Sequence, residues 1–182
     1  MALASTFTVQ PTFAGQDTPP PLASLFGGPF SLIDHNGQAR TDKDFLGKFM
    51  LIYFGYTFCP NICPVNLQNN ADAIKALGKK GEQIVPLFIT TDPERDTVEV
   101  LKKHVANFGE SLIGLTGTEQ QISSVTKAYR IRRRKVVIPD EPDYLVDHTS
   151  FTFLMGPDGA FRTFFPHNTQ VPVLVKAIGR YL

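Results

Sequence analysis

The stretch Phe49-Met50-Leu51-Ile52-Tyr53-Phe54-Gly55-Tyr56-Thr57-Phe58-Cys59-Pro60-Asn61-Ile62-Cys63-Pro64 decides how the chain folds. Its first six residues are the most apolar run present. They are few and rich in aromatics, which predicts a buried strand. Beyond Pro64 the period changes: Leu67, Ala71, Ile74 and Leu77 recur at helical intervals until Gly78 stops them. The only two cysteines of the chain, Cys59 and Cys63, therefore fall where a central strand gives way to a helix. That places them at the carboxyl edge of a sheet, where open α/β sheets put their sites.

The spacing has chemical consequences. Residues i and i+4 of a helix share one face, about 6 Å apart along the axis. Two sulfurs so placed could close a disulfide, whose Cα atoms lie about 4.4–6.8 Å apart, or hold one soft metal ion between them. Pro64 lacks an N–H and is tolerated only in a first turn. The helix is thus predicted to start near Asn61, a favoured N-cap residue. Cys59 then precedes the cap. Cys63 lies in the first turn, where the helix dipole is expected to favour its thiolate.

Working outward, the 182 residues suffice for one domain with a real core. An apolar content of 42% and 15 Phe place the chain among globular proteins. A net charge of +1 argues against bulk electrostatic binding to nucleic acid or membrane. No apolar run approaches the ~18–20 residues of a membrane span. Arg40 is the first Lys or Arg, so no basic leader region opens the chain. The protein is expected to be soluble as written, or to carry an anchor in a longer form.

Residues 1–28 are rich in Pro, Thr, Ala and Gly, with Pro19-Pro20-Pro21 together, and read as a flexible arm or stalk. Residues 29–182 read as the folded domain. Alternation over 28–34 before the turn signal Asn36-Gly37 predicts an N-terminal β-hairpin. A helical turn at 41–46 leads into the central strand. Residues 83–91 read as a second buried strand, in which Pro86 is expected to cause a bulge or an interrupted ladder. Thr97 is predicted to cap a helix carrying Val98, Leu101, Val105 and Phe108, closed by Gly109. A short strand at 112–115 and a helix opened by a Thr118–Gln121 capping box follow. Arg130-Ile131-Arg132-Arg133-Arg134-Lys135 then leads into a loop rich in Pro and Asp up to Asp147. Strands at 149–155 and 160–165 flank Gly156-Pro157-Asp158-Gly159, and a helix over 171–181 ends the chain. The predicted class is α/β, a sheet covered on both faces. Its order resembles a thioredoxin-like fold with an N-terminal β-hairpin extension and an inserted strand–helix segment.

Several chemistries compete for the cysteines. The simplest is packing, since free thiols behave as small hydrophobes; two of them at a strand–helix junction, each followed by proline, argue against it. A thiol–disulfide catalyst is the next, but such enzymes commonly use C-x-x-C. Three intervening residues loosen the ring and suit a shared metal better. A peroxidase is weaker still: the Pro-x-x-x-Thr-x-x-Cys spacing that resembles peroxiredoxins is missing before Cys59, and the chain has no Trp. A metal needs a third ligand, and four histidines are available. His35, in the Asn36-Gly37 turn, is expected to be solvated. His104, beside lysines on a helix, is expected to be exposed. His167 falls in a loop after the last strand. His148 precedes the strand at 149–155, and in a thioredoxin-like sheet the loop before that strand faces the cysteine loop. Thioredoxins place a cis-proline there; Asp147-His148-Thr149-Ser150 has none. His148 is the candidate third ligand, with Asp147 a candidate acceptor to orient the site.

The segments 57–64 (Thr57-Phe58-Cys59-Pro60-Asn61-Ile62-Cys63-Pro64), 92–97 (Asp92-Pro93-Glu94-Arg95-Asp96-Thr97) and 143–149 (Asp143-Tyr144-Leu145-Val146-Asp147-His148-Thr149), with Gly156-Pro157-Asp158-Gly159, together resemble the Sco/SenC family of copper chaperones. The likeness runs from about Gly28 to the C-terminus. It implies a thioredoxin-like fold in which Cys59, Cys63 and His148 bind copper, as Cu(I) or Cu(II), one ion per chain. It implies a role in assembling the binuclear copper centre of cytochrome c oxidase, with oxidase subunit II as recipient and an upstream copper donor. It also implies an N-terminal membrane anchor, facing the bacterial periplasm or, alternatively, the mitochondrial intermembrane space. A monomer is expected. Asn61 stands where the family commonly has Asp, which removes a negative charge beside the metal. When empty, Cys59 and Cys63 could also serve as a redox-active pair that reduces a disulfide in a target copper site. Metallochaperone and thiol–disulfide reductase are the leading functions, with a redox sensor as a third.

Two further features stand apart. The Arg130–Lys135 cluster is either a solvated helix end, where cations suit the dipole, or a docking patch for an acidic partner. The 92–97 segment reads as a turn and helix cap despite its carboxylates.

Overall fold

The computed structural model describes residues 24–141 and 143–182. Most of the expected arm, residues 1–23, lies outside them. In chain order the strands are β1 (Ser31–Asp34), β2 (Ala39–Thr41), β3 (Phe49–Gly55), β4 (Ile84–Thr90), β5 (Ile113–Thr116), β6 (Arg133–Val137), β7 (Tyr144–His148), β8 (Thr152–Met155) and β9 (Phe161–Phe165). The helices are α1 (Ile62–Ala76), α2 (Val98–Val105), α3 (Glu119–Ala128) and α4 (Val171–Ile178).

All seven residues of β3 are buried, as a continuous apolar run requires when both faces of a sheet are covered. Among the described residues it is central to a seven-stranded sheet of order β2-β1-β5-β4-β3-β8-β9. β3 runs parallel to β4 and antiparallel to β8. Alternate side chains face opposite ways. Met50, Ile52 and Phe54 pack with Ile122 and Val125 of α3. On the other face, Tyr53 lies with Leu67 of α1 and Leu101 of α2, and Leu51 lies with Ala73 of α1 and Leu174 of α4. The β1–β2 pair is the added hairpin and α2–β5 the inserted segment. No helix among the described residues is long and apolar enough to cross a membrane.

Local chemistry explains the boundaries. Thr97 caps α2 by accepting from the Val100 N–H, and the Thr118–Gln121 capping box opens α3. Gly109, with φ of 107°, stops the turn that follows α2. Pro86 causes no bulge: the β3–β4 register runs through Leu51↔Pro86 without a shift. On the other side, pairing to β5 starts only at Leu87, so the missing Pro86 N–H costs the sheet nothing.

Three expectations are corrected. The loop expected between residue 135 and Asp147 contains an antiparallel ribbon, β6–β7, which pairs with no strand of the main sheet among the described residues. Its signal is hidden because neither five-residue strand alternates: β6 runs three cations and then two valines, and β7 three apolar or aromatic residues and then Asp147-His148. The following strand begins at Thr152, not at residue 149. The packed chain also begins before residue 29. Phe26 lies against Phe153 and Phe161, the Gly27 N–H donates to the Ala128 carbonyl, and Arg130 donates to the Leu25 carbonyl.

Candidate metal centre

The cysteine loop hangs from the end of β3. The Thr57 N–H and hydroxyl both donate to the Asp96 carboxylate, at 3.1 and 2.6 Å, and Thr90 donates to it at 2.6 Å. Asp96 is completely buried. Burial pushes its carboxyl up, against the pull of the Thr57 and Thr90 hydrogen bonds. The segment 92–97 is thus a turn and cap, as expected, and also the bracket that holds the start of the cysteine loop. Gly55 meets a close approach: a Cβ there would stand 2.9 Å from Cys63 Sγ.

α1 starts behind Asn61 as predicted, but the Asn61 side chain makes no capping bond. The reason lies in the next residues. An N-cap accepts from the N2 or N3 amide; here N3 is Pro64, which has none, and the Cys63 N–H donates to Cys59 Sγ at 3.4 Å. The Cys59 sulfur has taken the capping position. This reverses the expected assignment of the thiolate. Cys59 is held far below the ordinary thiol range, first by the Cys63 S–H and then by His148 and the Asn61 and Cys63 amides. Cys63 is pushed up, because it donates to Cys59, is buried, and faces its negative charge. The helix end does favour a thiolate, but that of the residue whose sulfur lies over it. Both thiols are free.

His148 ends β7, and its Nε2 lies 3.6 Å from Cys63 Sγ. Its Nδ1 lies 3.1 Å from the Thr149 carbonyl. A carbonyl only accepts, so Nδ1 carries a proton, and Nε2 faces the sulfurs: protonated, it donates to the Cys59 thiolate, and without its proton it offers a lone pair. Tyr56 stands edge-on to this imidazole, ring centres 5.9 Å apart. The Tyr53 hydroxyl lies 2.8 Å from Ser150 Oγ, close to Cys63, and burial pushes its phenol up. Asn66 on α1 donates toward Tyr53 and the Ile62 carbonyl and contacts His167 Nδ1. A pocket of about 340 Å³ opens beside the site, lined by Tyr56, Cys59, Ile62, Leu145, His148 and Ser150.

Cys59, Cys63 and His148 are therefore brought together. No group of three or more His, Cys, Asp or Glu among the described residues is drawn in tightly enough to be a formed metal site. The spacing of Cys63 and His148 nevertheless fits one. Thiolate and imidazole bonds of about 2.3 and 2.1 Å to a tetrahedral or trigonal ion would set S and N about 3.5–3.8 Å apart, close to the 3.6 Å between Cys63 and His148.

The other candidates go elsewhere. Asp147 is exposed and pairs with Arg134 at 3.3 Å; the acceptor behind His148 is the Thr149 carbonyl instead. Strand alternation sends residues 147 and 148 to opposite sides. His104 is half-buried, not exposed, with its ring tilted against those of Phe88 and Phe108. Burial pushes its pKa down. His35 is half-buried and accepts the Gly114 N–H at 3.1 Å. The basic cluster is a helix end only at Arg130, which follows the α3 C-cap and donates its N–H to the Lys127 carbonyl; on β6, Arg133 pairs with Glu119 and Lys135 with Glu94. Sequence reasoning missed Tyr53, Asn66 and Asp96. The available signal was Asn66 and Asn70, polar residues on the same helical face as Cys63 and Leu67.

A family model described as SCO1/SenC matches residues 18–182. The chain belongs to the SCO1/SenC family. Among similar SCO1/SenC proteins, the mitochondrial SCO1 homolog of Mus musculus is 42% identical over 160 residues, covering 87% of this chain and 56% of that protein. Protein SenC of Rhodobacter capsulatus is 39% identical over 164 residues, covering 88% and 72%. The chain thus spans little more than half of the mouse relative. The crystal structure of Arabidopsis thaliana ScoI with copper bound matches with a TM-score of 0.81 at 41% identity, covering 86% of this chain and 97% of that one. The fold is thioredoxin-like, as in these SCO1/SenC structures.

Proposed function

We propose that this protein is a copper metallochaperone, which holds one copper ion on Cys59, Cys63 and His148 and delivers it to the binuclear centre of cytochrome c oxidase. The observation that carries the reading is the clustering of the three donors: the Cys63 N–H donates to Cys59 Sγ, Cys63 Sγ lies 3.6 Å from His148 Nε2, and Cys59 and His148 line one pocket. The copper-bound Arabidopsis relative supports it. Thiolates select Cu(I), and an imidazole serves either copper state. Cys59, half-exposed and the thiol held low, would meet the ion first. Cys63 then gives up its proton, and His148 closes from the ribbon. Three protein donors leave one side of the ion reachable by an incoming thiolate, which transfer requires.

The same residues favour a second activity. A low-pKa thiol beside a buried, protonated one is the arrangement of a thiol–disulfide reductase. In that reading Cys59 attacks a target disulfide, and Cys63 resolves the mixed disulfide by closing the Cys59–Cys63 bond. The recipient in both readings is oxidase subunit II, with a separate protein supplying copper. The site faces the periplasm in a bacterium or the intermembrane space in a mitochondrion, from a longer, anchored form. Mixing reduced, copper-loaded protein with purified copper-free subunit II tests the chaperone: copper should move to subunit II. Mixing the metal-free dithiol with oxidised subunit II tests the reductase: subunit II thiols should appear. Neither transfer would leave a sensor.

A further inference from the structure

The basic ribbon and the cysteine loop meet at a group that neither activity uses. The Arg95 guanidinium carbon lies 3.7 Å over the Tyr144 ring, 4.7 Å over Phe58 and 5.8 Å over Tyr56. Phe58 adjoins Cys59. Tyr144 opens β7, the strand that ends at His148. Tyr56 touches the His148 ring itself. One carboxylate locks the arrangement: Asp92 accepts from Arg95 Nε at 2.6 Å and from the Tyr144 hydroxyl at 2.9 Å.

We infer that Arg95 is a positioning residue, which clamps the His148 ribbon against the dithiol loop and so sets how firmly the imidazole joins the copper. This rests on the copper reading above. The Arg95 side chain is only 13% exposed, and neither Nη1 nor Nη2 has a hydrogen-bond partner among the described residues. Nη1 lies 3.8 Å from the Asp143 carboxylate, a loose pairing. Burying unbonded N–H groups of a cation is costly. The local turn does not need it, since Asp96 fastens the loop and Thr97 caps the helix. The position gains something else: a flat cation whose faces and edges meet aromatic rings from both halves of the site. The ion pairs that also tie the ribbon to the body, Arg133–Glu119 and Lys135–Glu94, each use an exposed carboxylate and hold weakly; Arg133 adds a bond to the Thr91 carbonyl at 3.1 Å, at the far end of β6 from Tyr144. Lys cannot substitute for Arg95, because an ammonium lacks the planar fork.

The test uses Arg95→Lys and Arg95→Met, with Glu94→Gln as a control that breaks only an exposed tie. In the metal-free, reduced protein, amide exchange over residues 144–148 should speed up by about tenfold or more in both Arg95 variants while α1 keeps its rates. Cu(I) affinity, carried by the thiols, should stay within about threefold of wild type, whereas Cu(II) affinity should fall about tenfold or more. Glu94→Gln should match wild type. Tyr144→Leu removes the same stack from the ribbon side and should reproduce the pattern even if an Arg95 variant folds poorly. Unchanged exchange over 144–148, or Cu(I) and Cu(II) affinities falling by one common factor, would overturn the clamp. A wild-type Cu(II) spectrum indifferent to His148→Ala would instead sink the copper ligand set, and the metal-free exchange rates would still decide the role of Arg95.

Discussion

The dithiol loop and the β6–β7 ribbon meet at one pocket but are held by different forces. The loop hangs from a strand buried along its whole length and is fastened by the buried Asp96. The ribbon pairs with no strand of the main sheet among the described residues, and Val146 is the one β7 residue fully buried. Burial of an apolar side chain contributes about 1.5–3 kcal/mol, an exposed ion pair about 0–1 kcal/mol. Two soft donors thus sit on the rigid half and the nitrogen donor on the half that opens more readily. The asymmetry suits a carrier: retention depends on the thiols, while the imidazole can be withdrawn at release.

The comparison breaks most sharply if a thiol can be spared. Cys59→Ser and Cys63→Ser should each abolish copper retention through gel filtration; a mutant that stays fully loaded would place the site elsewhere. His148→Ala should separate the halves. Two thiolates alone hold Cu(I), so its affinity should fall modestly, about tenfold or less, while the Cu(II) complex should be largely lost. Wild-type Cu(II) absorption and magnetic-resonance spectra in that variant would remove the ribbon from the site.

The pH dependence sharpens the rigid half. Cys59 is held down and Cys63 up, so near neutral pH the pair carries one proton, shared as a unit. Binding must displace the proton on Cys63. Cu(I) affinity should therefore rise about tenfold per pH unit, with about one proton released per ion near pH 7. Release of two protons by calorimetry in different buffers would mean that Cys59 is not ionised beforehand. The smallest effect belongs to the outer face of the ribbon. Arg133 is committed to Glu119, so Arg132→Ser with Arg134→Ser should slow transfer to subunit II a few-fold at low salt and converge with wild type at high salt. Equal rates at low salt would make these arginines ordinary surface.

The two halves were not equally legible. β3, α1 and their junction follow from one apolar run, a change of period and Pro64, so the dithiol could be placed from residues alone. The capping pairs at Thr97 and Thr118 were equally plain, because each needs only nearby residues. The ribbon was not, since it is short, half charged, and held mainly by partners far away in the chain. Which thiol ionises was misjudged for a related reason. Helix position predicts Cys63, but the direction of the Cys59 side chain over the Cys63 N–H decides the matter. Asp147 failed as an orienting group because its register on β7 was unknown. His148 was placed by analogy with the loop order of a thioredoxin-like sheet, and the ribbon supplies the geometry.

The packing of Phe26 on Phe153, Phe161 and Phe164 has a consequence in time. A chain leaving the ribosome presents Phe26 long before those three rings exist. Contacts between residues so far apart close a long loop and form late. For the later part of that interval β3 and α1 have emerged, and both thiols wait without the strand that brings the imidazole. Cys63 is therefore expected to face oxidants during synthesis, whereas in the finished domain it is buried. Pulse labelling of stalled chains should find Cys63 reactive until the last hairpin has emerged, and protected afterwards.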